Sequence, residues 1–280
     1  MSFGEMSDRY RDKIRNNILP WIVIALTVIC SGYMEVLATP AKRPFSLTDA
    51  SIGYPFAVSQ KYNDFMLFVT AVIVPFGVIS LISFIDNSKT ESIQTRFHHY
   101  YITTMKFFLS IGITIFLTTF LKIRLAKLRP DFLERCGPDI SLKEIASNSS
   151  DTILLYDESI CTMPLGRRLL DDGYKSCPSG HSSVAICGLG FLAIWLLQRY
   201  AYTTENSEDG NNVKKLNGSV WVLSCIPLLL ALDIATSRIY DFRHAYWDII
   251  TGLIVGIIGL IAGFIAAVDD SNDHGLVLPL

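Results

Sequence analysis

The sequence predicts an all-α membrane protein with six spanning helices. Two observations carry that expectation. Of the 280 residues, 50% are hydrophobic and only 18% are charged, and the mean hydropathy is +0.37, a balance too apolar for an ordinary soluble chain. Six apolar runs also approach the roughly 20 residues that a helix needs to cross a bilayer. The net charge of −2, with no basic run interleaved with aromatics, gives no footing for nucleic acid.

The runs are expected at residues 18–37, 65–84, 102–121, 182–198, 218–236 and 249–268. Pro75 and Pro227 should kink the second and fifth. Gly252, Gly256, Gly259 and Gly263 give the sixth a small-residue face suited to close helix packing. Asp233, one turn before Ser237, is expected as a buried carboxyl that is protonated or hydrogen-bonded. Residues 1–17 read as a polar flanking segment with no cleavable leader, residues 18–268 as one six-span domain, and residues 269–280 as a short acidic tail.

Orientation follows from the flanks. Arg9, Arg11, Lys13 and Arg15 stand directly before the first run, and the positive-inside rule keeps that end cytoplasmic. Six spans then return the tail to the same side. Residues 38–64, 122–181 and 237–248 face the lumen or exterior, and the last two hold most of the unusual polar chemistry.

Three short motifs lie in those two segments. Lys122 and Arg129, in K-I-R-L-A-K-L-R-P, are two helical turns apart and should share a helix face, with Pro130 ending the helix. Two fixed cations there can neutralise a phosphate dianion. Pro178-Ser179-Gly180-His181 feeds the fourth run, and a helix N-terminus presents backbone N–H groups to an anion. Ser237-Arg238 precedes His244 and Asp248, which are spaced to share a helical face, so that the carboxylate can fix the imidazole tautomer. Asp131, Asp139 and Asp241 read as solvated loop carboxylates rather than a metal cluster. Each motif alone also fits a bland interfacial role; their joint occurrence, in order and on one side of the membrane, is far more specific.

Together these motifs resemble those of the lipid phosphate phosphatases, within the type 2 phosphatidic acid phosphatase superfamily that also holds haloperoxidases. The stretches beginning at Phe45, Arg129 and Pro178 look closest to fungal diacylglycerol pyrophosphate phosphatase-like enzymes, and the likeness covers roughly residues 18–268. It implies a six-helix bundle of the haloperoxidase-like kind. It implies that His244 attacks phosphorus to form a phosphohistidine, that Asp248 orients it, and that His181 protonates the leaving alcohol and then activates water. Lys122, Arg129 and Arg238, with Ser179 and the Gly180 N–H, would hold the phosphoryl oxygens. No metal or other cofactor is expected, since three cations supply the charge that Mg²⁺ supplies elsewhere.

The implied substrates are phosphatidate, lysophosphatidate and diacylglycerol pyrophosphate, drawn from surrounding membrane lipids. The alternatives are an isoprenoid diphosphate or sphingoid phosphate phosphatase of the same superfamily, or a non-catalytic lipid-binding relative. Cys136, Cys161 and Cys177 lie on the expected oxidising side; Cys136–Cys161 is the preferred bridge, because Cys177 abuts the Pro-Ser-Gly-His turn. Asn148 heads a glycosylation sequon in the same segment. The vacuole, Golgi, endoplasmic reticulum and plasma membrane all fit such an orientation. The sequence says nothing of oligomeric state.

Overall fold

The computed structural model describes residues 18–85, 93–139, 141, 154–206 and 212–265. Asn148 and the two flanking segments, with Arg9, Arg11, Lys13 and Arg15, lie outside these residues. Six helices are long and apolar enough to cross a membrane: α1 (Ile18–Leu37), α2 (Asp64–Ile85), α3 (Ile93–Leu125), α6 (Gly180–Tyr200), α7 (Gly218–Tyr240) and α8 (Tyr246–Ile265). Among the described residues, two short α-helices, α4 (Phe132–Cys136) and α5 (Arg167–Gly173), lie in the segment between α3 and α6. The all-α expectation holds for the bundle. One small addition is an antiparallel hairpin between α6 and α7, β1 (Tyr202–Asn206) with β2 (Asn212–Leu216).

Helix α6 is the centre of the bundle. It packs against α2, α3, α7 and α8, whereas α1 rests mainly on α3. Phe107 of α3 and Phe191, Leu192 and Trp195 of α6 form one apolar core with Val72, Ile79 and Leu260. The outer faces stay apolar as well: Leu229 is 64% exposed and Ile29 66%. Large apolar side chains turned outward on the five long helices around α6 are the arrangement that a hydrocarbon solvent favours.

Close approach is bought with small residues. In α8, a Cβ on Gly252 would stand 2.5 Å from the Ser179 carbonyl oxygen, and one on Gly256 2.3 Å from that of Ser183. A Cβ on Gly259 would meet Thr114 Oγ1 at 2.0 Å, and one on Gly263 would meet Ser110 Oγ at 1.9 Å. The glycine face is thus pressed onto α6 and α3, as expected for small residues at helix interfaces. Pro75 has no N–H to return to Ala71, and the preceding turn, Val69–Ile73, widens to π geometry. A Cβ on Gly188 would lie 1.8 Å from the Ala71 carbonyl oxygen, so α6 backs directly onto that turn.

Two boundaries differ from the sequence expectation. Helix α3 runs 33 residues rather than the span predicted from hydropathy alone. At 1.5 Å per residue it is about 50 Å long, against a hydrocarbon core of about 30 Å. It also ends at Leu125, before Lys127 and Arg129, with Ala126 at φ 44°. Lys122 and Arg129 therefore do not share one helix face; the left-handed residue turns the chain and delivers Arg129 from a loop.

A small folded cap covers the end of the bundle where α3 stops and α6 begins. Phe45, Leu47, Ile52, Phe132, Leu133, Leu170 and Tyr174 form its core with Cys136 and Cys161. Cys136 and Cys161 are joined by a disulfide. Phe45 pairs with Tyr156 through two backbone hydrogen bonds, of 2.9 and 2.8 Å. This ties the segment between α1 and α2 to the one between α3 and α6.

Candidate active site

The three motifs meet under this cap. His244 lies in the five-residue link between α7 and α8 and is 3% exposed. It is not on a helix, contrary to the spacing argument. Its Nε2 stands 3.4 Å from Arg129 Nη1. On the other side of the ring, Nδ1 is 3.5 Å from Ser176 Oγ and 4.0 Å from Asp248 Oδ2. Acceptors on the Nδ1 side favour the proton there, which leaves the Nε2 lone pair facing the guanidinium. Burial lowers the His244 pKa well below its ordinary value, and the nearby Arg129, Lys122 and Arg238 cations add to the shift. The ring is therefore neutral at pH values where a free histidine would be charged.

Asp248 is fully buried and held at both oxygens. Lys127 Nζ donates to Oδ1 at 2.7 Å, and Ser176 Oγ donates to Oδ2 at 2.6 Å. The Ala245 N–H also donates to Oδ2, at 2.9 Å, so Asp248 caps the start of α8 from within its first turn. Neither Lys127 nor Ser176 belongs to the three motifs. Lys127 sits between two residues that do, and its basic charge was the only visible signal.

Arg129 is oriented chiefly by the last turn of α5. Its Nε donates to the Asp172 carbonyl at 2.9 Å, Nη2 to Asp172 Oδ1 at 2.8 Å, and Nη1 to the Arg243 carbonyl at 3.2 Å. Burial alone would raise the Asp172 pKa, but the Arg129 and Arg135 guanidiniums outweigh it and hold the carboxyl below the usual range. Behind Asp172 lies a buried ion cluster. Arg135 Nε and Nη2 make a paired contact with the Asp131 carboxylate at 2.8 and 2.9 Å, and Nη1 reaches Asp172 Oδ2 at 2.9 Å. Arg243 Nη1 is 3.6 Å from Asp131.

Asp131 is therefore not a solvated loop residue: it is fully buried, and Asp241, hydrogen-bonded to Arg238, is 8% exposed. Asp139 does lie exposed. Asp233, expected in the interior, is instead half-exposed and paired with Lys61 Nζ at 2.7 Å.

The Pro-Ser-Gly-His turn opens α6. Ser179 is its N-cap; its Oγ accepts from the Ser182 N–H at 3.4 Å and from Ser182 Oγ at 3.0 Å, so the hydroxyl serves the helix start. The Ser179 N–H donates to the Asp248 carbonyl at 2.8 Å, joining the second motif to the third. Lys122 Nζ lies 3.4 Å from where a Cβ on Gly180 would stand, which puts the ammonium beside the helix N-terminus. His181 Nε2 lies 3.0 Å from the Tyr62 carbonyl oxygen, to which Arg238 Nη1 also donates at 3.0 Å.

Lys122 thus touches the Gly180 turn, Arg129 touches His244, and Arg238 shares an acceptor with His181. These contacts gather cations, two imidazoles and a helix N-terminus at one end of the bundle. Such a set can bind an anion and deliver a nucleophile and a proton to it.

Comparison with known proteins gives the same direction. Diacylglycerol pyrophosphate phosphatase 1 of Saccharomyces cerevisiae is 32% identical over 239 residues, covering 85% of this chain and 75% of the relative. Probable diacylglycerol pyrophosphate phosphatase 1 of Schizosaccharomyces pombe is 31% identical over 222 residues, covering 79% and 71%. Lipid phosphate phosphatase 1 of Saccharomyces cerevisiae is 27% identical over 265 residues, covering 90% and 88%. No solved structure matches the chain. Residues 103–271, which include all three motifs, match the PAP2 superfamily, and the chain belongs to that family.

Proposed function

We propose that the protein is an integral membrane phosphatase that hydrolyses lipid phosphates, with phosphatidate, lysophosphatidate and diacylglycerol pyrophosphate as substrates. The observation that carries this reading is the neutral, buried His244, whose Nε2 faces Arg129 while Ser176 and Asp248 stand behind Nδ1. His244 Nε2 attacks phosphorus, and the bond from phosphorus to the lipid oxygen breaks. His181 gives a proton to that oxygen. His181 then takes a proton from water, the water oxygen attacks phosphorus, and the P–N electron pair returns to Nε2.

Lys122, Arg129, Arg238 and the Gly180 N–H hold the phosphoryl oxygens through both steps. Ser179 acts through its backbone and its cap more than through a free hydroxyl. Catalysis of this kind is mostly positioning and electrostatic stabilisation.

Because three fixed cations neutralise the phosphoryl group, the reaction needs no divalent metal. Turnover of phosphatidate in detergent micelles should survive excess EDTA. Complete loss that Mg²⁺ restores would overturn this part of the reading. A panel of phosphatidate, diacylglycerol pyrophosphate, sphingoid phosphate and isoprenoid diphosphate, run alongside, tests the substrate class. Arg238→Ala should slow every substrate that is turned over.

The site faces the lumen or exterior, with both termini cytoplasmic. One observation supports this orientation: the disulfide Cys136–Cys161 lies in the cap over the site, and disulfides persist on oxidising sides of membranes. Asn217, in the sequon Asn217-Gly218-Ser219, caps the start of α7, the end of that helix opposite Ser237 and Arg238. Asn148→Gln should therefore remove a glycosidase-sensitive shift on gels, whereas a glycan at Asn217 would invert the orientation.

A further inference from the structure

The segment 57–63 lies across the site, and it does so with backbone and polar groups rather than apolar burial. Val58 is 88% exposed. The Ala57 carbonyl accepts from Arg243 Nη2 at 3.1 Å, and Gln60 Oε1 accepts from Arg238 Nη2 at 2.9 Å. The Tyr62 carbonyl oxygen takes contacts from Arg238 Nη1 and His181 Nε2, both at 3.0 Å. Arg238, one of the cations proposed to clamp the phosphoryl oxygens, and His181, proposed to protonate the leaving group, are thus turned toward one neutral oxygen. Arg238 Nε is buried with no partner among the described residues.

Away from the site, the side chains of the same segment are pinned at Asp233. Lys61 Nζ donates to Asp233 at 2.7 and 2.9 Å, and Tyr62 Oη donates to Asp233 Oδ2 at 2.8 Å. The Lys61 N–H adds a 3.2 Å bond to Asp241.

From this geometry we infer that residues 57–63 form a strap that substrate displaces: the Tyr62 carbonyl stands in for a phosphoryl oxygen, and Asp233 latches the strap closed. The inference rests on the roles proposed for His181 and Arg238. A phosphoryl oxygen carries charge and a carbonyl oxygen does not, so the charged acceptor forms the stronger bonds to Arg238 and His181 and wins the exchange. Apart from the Tyr62 ring, which packs against the cluster around Leu67 and Ala71, the strap buries little, so most of what holds it shut is this handful of polar contacts. Loosening the latch raises the fraction of molecules with an open site, and apparent affinity rises in proportion. Asp233 and Lys61 are positioning residues in this scheme; neither touches the reacting phosphoryl group.

The test uses the full chain in detergent micelles, with orthovanadate as the oxyanion probe and a short-chain phosphatidate as substrate. Lys61→Ala and Asp233→Ala should each tighten vanadate inhibition about two- to fivefold, the range open to an exposed ion pair, with kcat unchanged or higher. Asp233→Glu, which keeps the carboxylate, should stay near wild type. Because Lys61 and Asp233 are both half-exposed, neither alanine variant should compromise folding. Inhibition constants unchanged in both alanine variants would overturn the strap. So would weaker vanadate binding with a loss of kcat, since that would make the segment a support for His181 and Arg238. Wild-type protein that binds vanadate yet turns over no lipid phosphate would sink the phosphatase reading alone, because the affinity comparison would still decide the strap.

Discussion

His244→Ala is expected to lower turnover of phosphatidate by about 10⁴-fold or more, because removing a nucleophile that acts with its base and acid forfeits the whole covalent route. The loss should fall on kcat. Vanadate binding should weaken far less, since Lys122, Arg129 and Arg238 remain. Rapid quenching of the wild type with ³²P-labelled substrate should trap a phosphoryl group that is stable in base and labile in acid, as expected for a phosphorus–nitrogen bond. His244→Ala should carry no such label. A variant that kept a tenth of wild-type turnover, or a wild-type label stable in acid, would remove His244 from the nucleophile's role.

The second large effect is on stability. Arg135→Met should destabilise the protein by about 3–5 kcal/mol, because removing one partner leaves buried carboxylates without their counter-charge. Arg135 lies fully buried and makes two hydrogen bonds to Asp131 and one to Asp172. Asp131 would keep only the longer contact to Arg243. The double variant Arg135→Met/Asp131→Leu should recover much of the loss, since an apolar pair of similar size avoids the stranded charge. Thermal unfolding in detergent measures both. Activity should also fall in the single variant, because Asp172 orients Arg129. A single variant as stable as wild type would show that this ion cluster contributes nothing to the cap.

The contrast between these two sites shows what a sequence can carry. The spans were legible because a helix in hydrocarbon must be apolar along its length, and each long helix overlaps its predicted run. The motif residues were legible because phosphate chemistry restricts residue type at fixed spacings. Asp131, Arg135 and Asp172 were not. Their charge suggests solvent, and only the folded cap, closed over them by Phe132, Leu133 and Tyr174, removes it. Lys127 and Ser176 were missed for a related reason: each touches Asp248 across more than a hundred or some seventy residues of chain, a pairing that no local pattern announces. Where local reasoning was applied too literally it failed, as when Ala126 broke the helix that was to align Lys122 with Arg129.

The glycine face of α8 has a mechanical consequence. With Gly252 against the Ser179 carbonyl and Gly256 against that of Ser183, the two backbones leave no slack for either helix to slide or roll past the other. The spacing between the α8 end that follows His244 and the Gly180 turn is set as if by a machined shim. Any breathing of this end of the bundle must be borne by the periphery, and even one added methyl at residue 252 would pry the second motif away from the third.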